Sequence, residues 1–225
     1  MVAFDVETTG VDPETARIVT ACVATVNTTP PRAPQQWLVN PGVEIPAEAT
    51  AIHGITTEHA REHGTDPAEA CARIAEVLRV HWMAGDPVVA YNAPFDLTVL
   101  DRELRRHGHA GLDAVGAVVD PLAIDRAVDR YRRGRRTLEA ACQHYRVLLD
   151  GAHDAAADAV AAARVAWRIA RMYPEVAGMS LGELAAFQRA AYAEWAAHFA
   201  EYLQSQGKPE VIDPSWPIRY AEAKK

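Results

Sequence analysis

The chain reads as an α/β fold, a mixed five-stranded sheet flanked by helices. Three observations predict it. The first forty residues hold three β-rich runs joined by short loops, which implies an antiparallel meander. Further on, apolar residues recur at helical spacing, and short apolar strands alternate with helices. At 225 residues, with 49% hydrophobic and 24% charged content, the chain has room for a sizeable core.

Met1 to Val6 is a short buried strand, Arg17 to Asn27 a second one rich in β-branched residues, and Gln36 to Asn40 a shorter third. Three prolines between Thr28 and Pro34 mark a turn. Asp66-Pro67-Ala68-Glu69 reads as an N-cap with proline at the first helical position, and Ile74, Val77, Leu78 and Trp82 continue that helix. Pro87 to Tyr91 is a fourth strand and Pro94 to His107 a helix closed by Gly108. Val118-Val119 marks a fifth strand. Helices follow near Leu122 to Arg130, Thr137 to Tyr145 and Asp154 to Tyr173. Ser180-Leu181-Gly182-Glu183 is a capping-box pattern that opens a long helix, with Leu181, Leu184, Tyr192, Trp195, Phe199 and Tyr202 on one stripe. Residues 1–175 thus read as one domain and 176–225 as a C-terminal helical extension with an irregular tail.

Composition excludes some classes. No apolar run is long enough to span a bilayer, and no signal-peptide pattern opens the chain. Cys22, Cys71 and Cys142 are widely spaced, without a CxxC pair, and read as reduced, buried thiols of a cytoplasmic protein. A net charge of −7 argues against coating duplex DNA by electrostatics alone. It leaves room for a protein that binds nucleic acid locally through metal ions and a few arginines.

Three acidic sites carry the chemistry. In Phe4-Asp5-Val6-Glu7-Thr8-Thr9-Gly10, strand alternation puts Val2, Phe4 and Val6 on one face and Asp5 and Glu7 on the other. Adjacent carboxylates repel and resist desolvation, so they call for a cation, and oxygen-only ligands suit Mg²⁺ or Mn²⁺. In Tyr91-Asn92-Ala93-Pro94-Phe95-Asp96, the acid falls in a first helical turn and shares a face with Leu100 and Leu104. In His153-Asp154-Ala155-Ala156-Ala157-Asp158, Asp154 is an N-cap, and Asp158 lies on the apolar face with Ala162, Val165, Ile169 and Met172. Taken singly, each site also reads blandly, as solvated strand-end acids, a helix cap and a loop histidine. Together, Asp5, Glu7, Asp96 and Asp158 with His153 form the set that two-metal phosphodiester hydrolysis requires. Two ions about 4 Å apart would activate a water and stabilise the leaving oxygen, and a histidine would take the proton.

These three sites resemble the motifs of the DEDDh 3′→5′ exonucleases, a family that includes the proofreading subunit of the bacterial replicative polymerase. The family's Asp-x-Glu-Thr-Thr-Gly strand, Asn-x-x-Phe-Asp helix start and His-x-x-x-x-Asp all occur here, in order, within about Met1 to Tyr173. The resemblance implies a ribonuclease H-like sheet and release of 5′-mononucleotides from a 3′ end. It also implies that Asp5, Glu7 and Asp158 hold a catalytic metal, that Asp5 reaches a second, that Asp96 acts through bound waters, and that His153 is the general base. The backbone near Thr8 and Thr9 would hold the terminal nucleotide, with Asn92 and Phe95 in support. Ala51-Ile52-His53-Gly54-Ile55-Thr56 is similar to the family's loop beside that nucleotide, although His53 also reads as a turn residue ahead of a helix. Val119-Asp120-Pro121-Leu122 and Thr137-Leu138-Glu139 are similar to the fifth-strand exit and the next helix start.

The densest basic cluster is Arg132, Arg133, Arg135 and Arg136. Arg133 and Arg135 are candidates for binding strand phosphates, and a solvated loop is the plainer alternative. DNA with single-stranded or frayed 3′ ends is the expected substrate. An RNA-directed relative shares the same motifs. A third reading makes the chain a polymerase-bound subunit, or a self-associating one, that docks through the helix spanning 180–206.

Overall fold

In a computed structural model, which describes residues 1–26, 32–149 and 153–220, the meander comes first. Strands β1 (Val2–Thr8), β2 (Ile18–Thr25) and β3 (Gln35–Leu38) pair antiparallel in sequence order. The turn expected between Thr28 and Pro34 lies mostly outside the described residues, as does the end of the second expected strand at Asn27. Two short helices follow, α1 (Ala47–His53) and α2 (Thr57–His63). The sequence reads as a loop from Ala51 to Thr56. In the structure Ala51, Ile52 and His53 close α1, and Gly54 (φ 78°) turns the chain sharply after them. Ala49 and Ala60 seat the two helices on Val19 and Ile45.

Helix α3 (Pro67–Met83) starts at the expected cap, where Asp66 accepts from Glu69 N at 3.1 Å. Strand β4 (Val88–Val89), helix α4 (Ala93–Arg106), strand β5 (Val118–Val119) and helix α5 (Pro121–Val128) complete the strand–helix half. The order across the sheet is β3-β2-β1-β4-β5, with β4 and β5 parallel to β1. Then come α6 (Leu138–Tyr145), α7 (Ala155–Met172), α8 (Pro174–Ala177) and α9 (Leu181–Ser205), the last opened by the Ser180/Glu183 capping box. Among the described residues, no helix is long and apolar enough to cross a membrane.

The two sheet faces differ in side-chain size, and that difference places the acids. Val2, Phe4 and Val6 pack with Ile74 and Leu78 of α3 and Leu97 and Leu100 of α4. On the other face Ala3, Cys22, Ala24 and Val89 meet Ala155, Ala159, Ala162 and Ala163 of α7. Small residues on both sides let α7 lie close to the sheet. Asp5 and Glu7 share this second face with Ala3, as strand alternation requires.

The C-terminal stretch is woven into the same cores. Tyr192 of α9 and Trp216 of the tail belong to the cluster around Phe4 and Val6, and Leu184 packs with Val165 and Ile169 of α7. All three cysteines are buried and unpaired.

Candidate active site

The C-terminal end of β1 gathers the acids for a topological reason. Val2 N donates to Pro87 O at 3.0 Å, so alternate N–H groups of β1 point toward β4. Along β1, strand β4 pairs with Val2 and Ala3 alone. Beyond that point the β1 edge is open, and Asp96 from the first turn of α4 fills it, its Oδ1 accepting from Val6 N at 3.1 Å. Val6 lies between Asp5 and Glu7, so one hydrogen bond ties Asp96 to the acid pair. From the other face α7 brings Asp158, whose Oδ2 accepts from His153 N at 3.2 Å. The outer end of β1 is irregular, its pairing shifting between Glu7 and Thr8.

Among the described residues, Glu7, His153 and Asp158 offer ligand atoms that all lie within 4.8 Å of one another. Burial pushes the Asp5 carboxyl well above the usual carboxylate range, and the charges of Asp96, Asp158 and Glu7 push it further. Glu7 is pushed up to about 7, first by burial and then by Asp158 and Asp154. Burial raises Asp96 despite the Val6 N–H, and raises Asp158 despite the His153 N–H. The Oδ1 of Asp158 is buried without a hydrogen-bond partner. Four acids crowd together with no arginine or lysine among the groups that perturb them. The missing positive charge and the orphaned oxygen both fit a divalent cation.

A groove of about 540 Å³ opens beside this cluster, lined by Glu7, Trp37, His53, His59, His153 and Asp154 among others. Half-exposed His153 stands at its lip, with Nε2 3.5 Å from Glu139 Oε1. His53 ends α1 with Nδ1 accepting from Ile55 N at 3.1 Å and Nε2 buried and unbonded. Burial holds its imidazole below the usual histidine range, against the opposing pull of the Thr8 backbone. Thr9 is already engaged: its N–H donates to Arg17 O at 2.9 Å, and its hydroxyl accepts from Arg17 N at 3.0 Å. The Thr8 hydroxyl donates to Gly10 O at 2.7 Å. Asn92 is left-handed (φ 69°) and makes no side-chain cap, and Phe95 packs against the main core.

Arg133 and Arg135 are exposed and do not line this groove. Their neighbours Arg132 and Arg136 turn inward to the buried carboxylate of Asp125. Sequence reasoning misses three contributors. Trp37 reads only as part of a strand, Glu139 only as part of a helix start, and Asp120 only as part of a strand exit. Nothing local marks any of them, because their partners lie on other elements.

The sheet order, with its helices on both faces, is that of a ribonuclease H-like fold. More particularly, the chain belongs to the RNase_T exonuclease family, whose model matches residues 2–166. A DNA polymerase III subunit epsilon-like protein from Rhodobacter capsulatus is 42% identical over 107 residues, covering 45% of this chain and 14% of that protein. DNA polymerase III subunit epsilon from Rickettsia conorii is 28% identical over 170 residues, 73% of this chain and 70% of that one. Among solved structures, E. coli exonuclease I in complex with a dT13 oligonucleotide aligns with a TM-score of 0.65 at 21% identity, over 78% of this chain and 42% of that one. The matched part of the chain thus spans less than half of exonuclease I and a small part of the first of these relatives.

Proposed function

We propose that this protein is a metal-dependent 3′→5′ exonuclease that removes 5′-mononucleotides from single-stranded or frayed 3′ ends of DNA. The observation that carries this reading is the meeting of Glu7, His153 and Asp158 beside Asp5, at the mouth of an open groove. Asp5, Glu7 and Asp158 would hold the ions, two Mg²⁺ or Mn²⁺, with Asp96 supporting. When bound, such ions neutralise charge on the scissile phosphate and lower the pKa of the attacking water. The chain's own residues do the rest. His153 takes the proton from that water, and Glu139, 3.5 Å from Nε2, stabilises the imidazolium that forms. Trp37 and Ile55 give the groove apolar surface against which a terminal base can lie. The polarity of attack follows the family motifs.

DNA is favoured over RNA because the relatives bear the names of DNA polymerase III subunits and the structural neighbour was solved with a DNA oligonucleotide. Docking on a polymerase through α9 is less favoured. Tyr192 and Ala196 are already buried within the chain, which leaves Leu181 and Tyr202 as the large exposed hydrophobic side chains of that helix.

The test is hydrolysis of 3′- and 5′-labelled DNA and RNA oligonucleotides with Mg²⁺, Mn²⁺ or EDTA, beside Asp5→Ala. Metal-dependent shortening from the 3′ end, absent in the variant, is expected. A DNA-to-RNA rate ratio above one selects the DNA branch. Cleavage that persists in Asp5→Ala overturns the assignment.

A further inference from the structure

Asp120, at the exit of β5, is 1% exposed, and its carboxylate is the meeting point of five donors. Two come from the start of α4: Asn92 N at 3.0 Å and Ala93 N at 3.2 Å. Two come from the start of α5: Leu122 N at 3.0 Å and Ala123 N at 3.3 Å. The fifth is the indole Nε1 of Trp216, at 3.4 Å, from the tail. The N–H of Asp120 in turn donates to Gln188 Oε1 at 2.6 Å. Gln188 is fully buried on α9, and its Nε2 donates to Val118 O at 3.0 Å and Leu184 O at 3.1 Å.

One carboxylate therefore caps two helices. Asn92, the residue in the cap position of α4, provides no side-chain cap, so Asp120 supplies it from the exit of the neighbouring strand. Helix α4 carries Asp96 one turn further on, and Asp96 is hydrogen-bonded to Val6 between Asp5 and Glu7. A continuous chain of hydrogen bonds and one rigid helical turn thus runs from α9 and the tail to the acid cluster. Gln188 and Trp216 both lie beyond residue 166, where the family match ends.

We infer that Asp120 is a positioning residue for Asp96, and that Gln188 and Trp216 hold Asp120, so that the C-terminal segment completes the active-site scaffold. The inference rests on the proposed reading of Asp96 as a metal-supporting acid. Its physical basis is that outer-shell hydrogen-bond partners fix the orientation of the groups that meet a metal. A buried carboxylate with five donors is held firmly, and one deprived of donors is free to shift.

The test uses the full chain and Mn²⁺ alone, titrated by calorimetry, with folding followed by circular dichroism and thermal melting. Asp120→Asn keeps the shape but turns one oxygen into a donor that faces other donors. Gln188→Met keeps the volume and removes both hydrogen-bonding ends. Asp96→Asn is the reference. We expect Asp120→Asn to weaken Mn²⁺ binding by roughly 10-fold, and Gln188→Met to weaken it in the same direction, on protein that still melts cooperatively. A purely structural role would lower the melting temperature and leave the Mn²⁺ affinity of the folded protein unmoved. If Asp96→Asn weakens Mn²⁺ while folded Asp120→Asn and Gln188→Met bind it like the parent, the inference fails and the site reading stands. If Asp96→Asn also binds Mn²⁺ like the parent, the site reading fails and takes the inference with it.

Discussion

Helix α4 carries acids toward both ends, and the two ends are built on opposite plans. Asp101 and Glu103, in its second half, sit among arginines. Asp101 Oδ2 is 2.6 Å from Arg102 Nη1 and 3.0 Å from Arg105 Nε, and Glu103 pairs with Arg17 and Arg106. Burial pushes the Asp101 carboxyl up, but Arg105, the Leu112 N–H and Arg102 outweigh it and bring it below the usual range. Asp96, in the first turn, has the Val6 N–H and other carboxylates for company, and burial leaves it raised. Asp125 repeats the first plan, with Arg132, Arg136 and the Tyr145 hydroxyl on one buried carboxylate. The lesson is local. Where the chain supplies its own cation, a buried acid ties elements together. Where it supplies none, the charge must be met from outside.

The largest expected effect breaks this comparison most directly. Asp5→Ala should lower kcat by at least about 10³-fold, while circular dichroism reports an intact fold. Glu103→Gln should do the reverse. It removes the charge that meets Arg17 and Arg106 and should cost about 1–3 kcal/mol of stability by urea unfolding, with near-parental activity per folded molecule. If Glu103→Gln reduced activity and left stability intact, the division between acids paired within the chain and acids left without a cation would fall. Next in size is His153→Ala, with a rate loss of about 10²–10⁴-fold and Mn²⁺ binding by calorimetry retained. Loss of the metal together with the rate would make His153 a ligand rather than a base.

Much of the acidic end is legible in the sequence because each of its parts is local. A strand alternates, so Asp5 and Glu7 must share a face. Asp96 and Asp158 sit at helix starts that caps and proline announce. What is not legible depends on distant partners. Asp120 reads only as part of a strand exit, and its grip on Asn92, Gln188 and Trp216 appears only when β5, α4, α9 and the tail come together. Helices α1 and α2 escape the sequence for a different reason. Each is seven residues long and buries little beyond Ala49 or Ala60, while Ile52 stays exposed, so no apolar stripe marks them. The long stripe on α9 holds in its middle, at Tyr192 and Trp195, whereas Leu181 and Tyr202 at its ends remain exposed.

The raised acids also predict a pH dependence opposite to that of a salt-bridged carboxylate. Burial and the neighbouring Asp158 and Asp154 push Glu7 up to about 7 in the folded metal-free chain, from an ordinary value of 4.5. Between those values the folded state holds more protons than the unfolded one, so stability falls as pH rises. The contribution is fully present below about 4.5 and is gone above about 7. The melting temperature of the metal-free parent, measured against Glu7→Gln, should therefore drop between pH 5 and pH 8 by about 2–4 °C for each kcal/mol of stability. Saturating Mg²⁺ should remove the drop. A parent that instead gained on Glu7→Gln with rising pH in EDTA would mean that an unrecognised cation already compensates Glu7.

The smallest expected effect sharpens the comparison on the basic side. Arg132 and Arg136 are committed to Asp125, whereas Arg133 and Arg135 are exposed and in no ion pair among the described residues. Only the second pair is free to meet phosphates. Reversing both to Glu should raise KM several-fold for long single strands, leave kcat unchanged, and spare substrates too short to reach the loop. The log–log salt slope of binding should become shallower by about 0.7 for each phosphate the arginines had neutralised. Reversing Arg132 instead should lower the melting temperature, because it places a second carboxylate beside Asp125. If KM and the salt slope both stay at parental values, Arg133 and Arg135 are a solvated loop face, and the incoming strand is held by the groove alone.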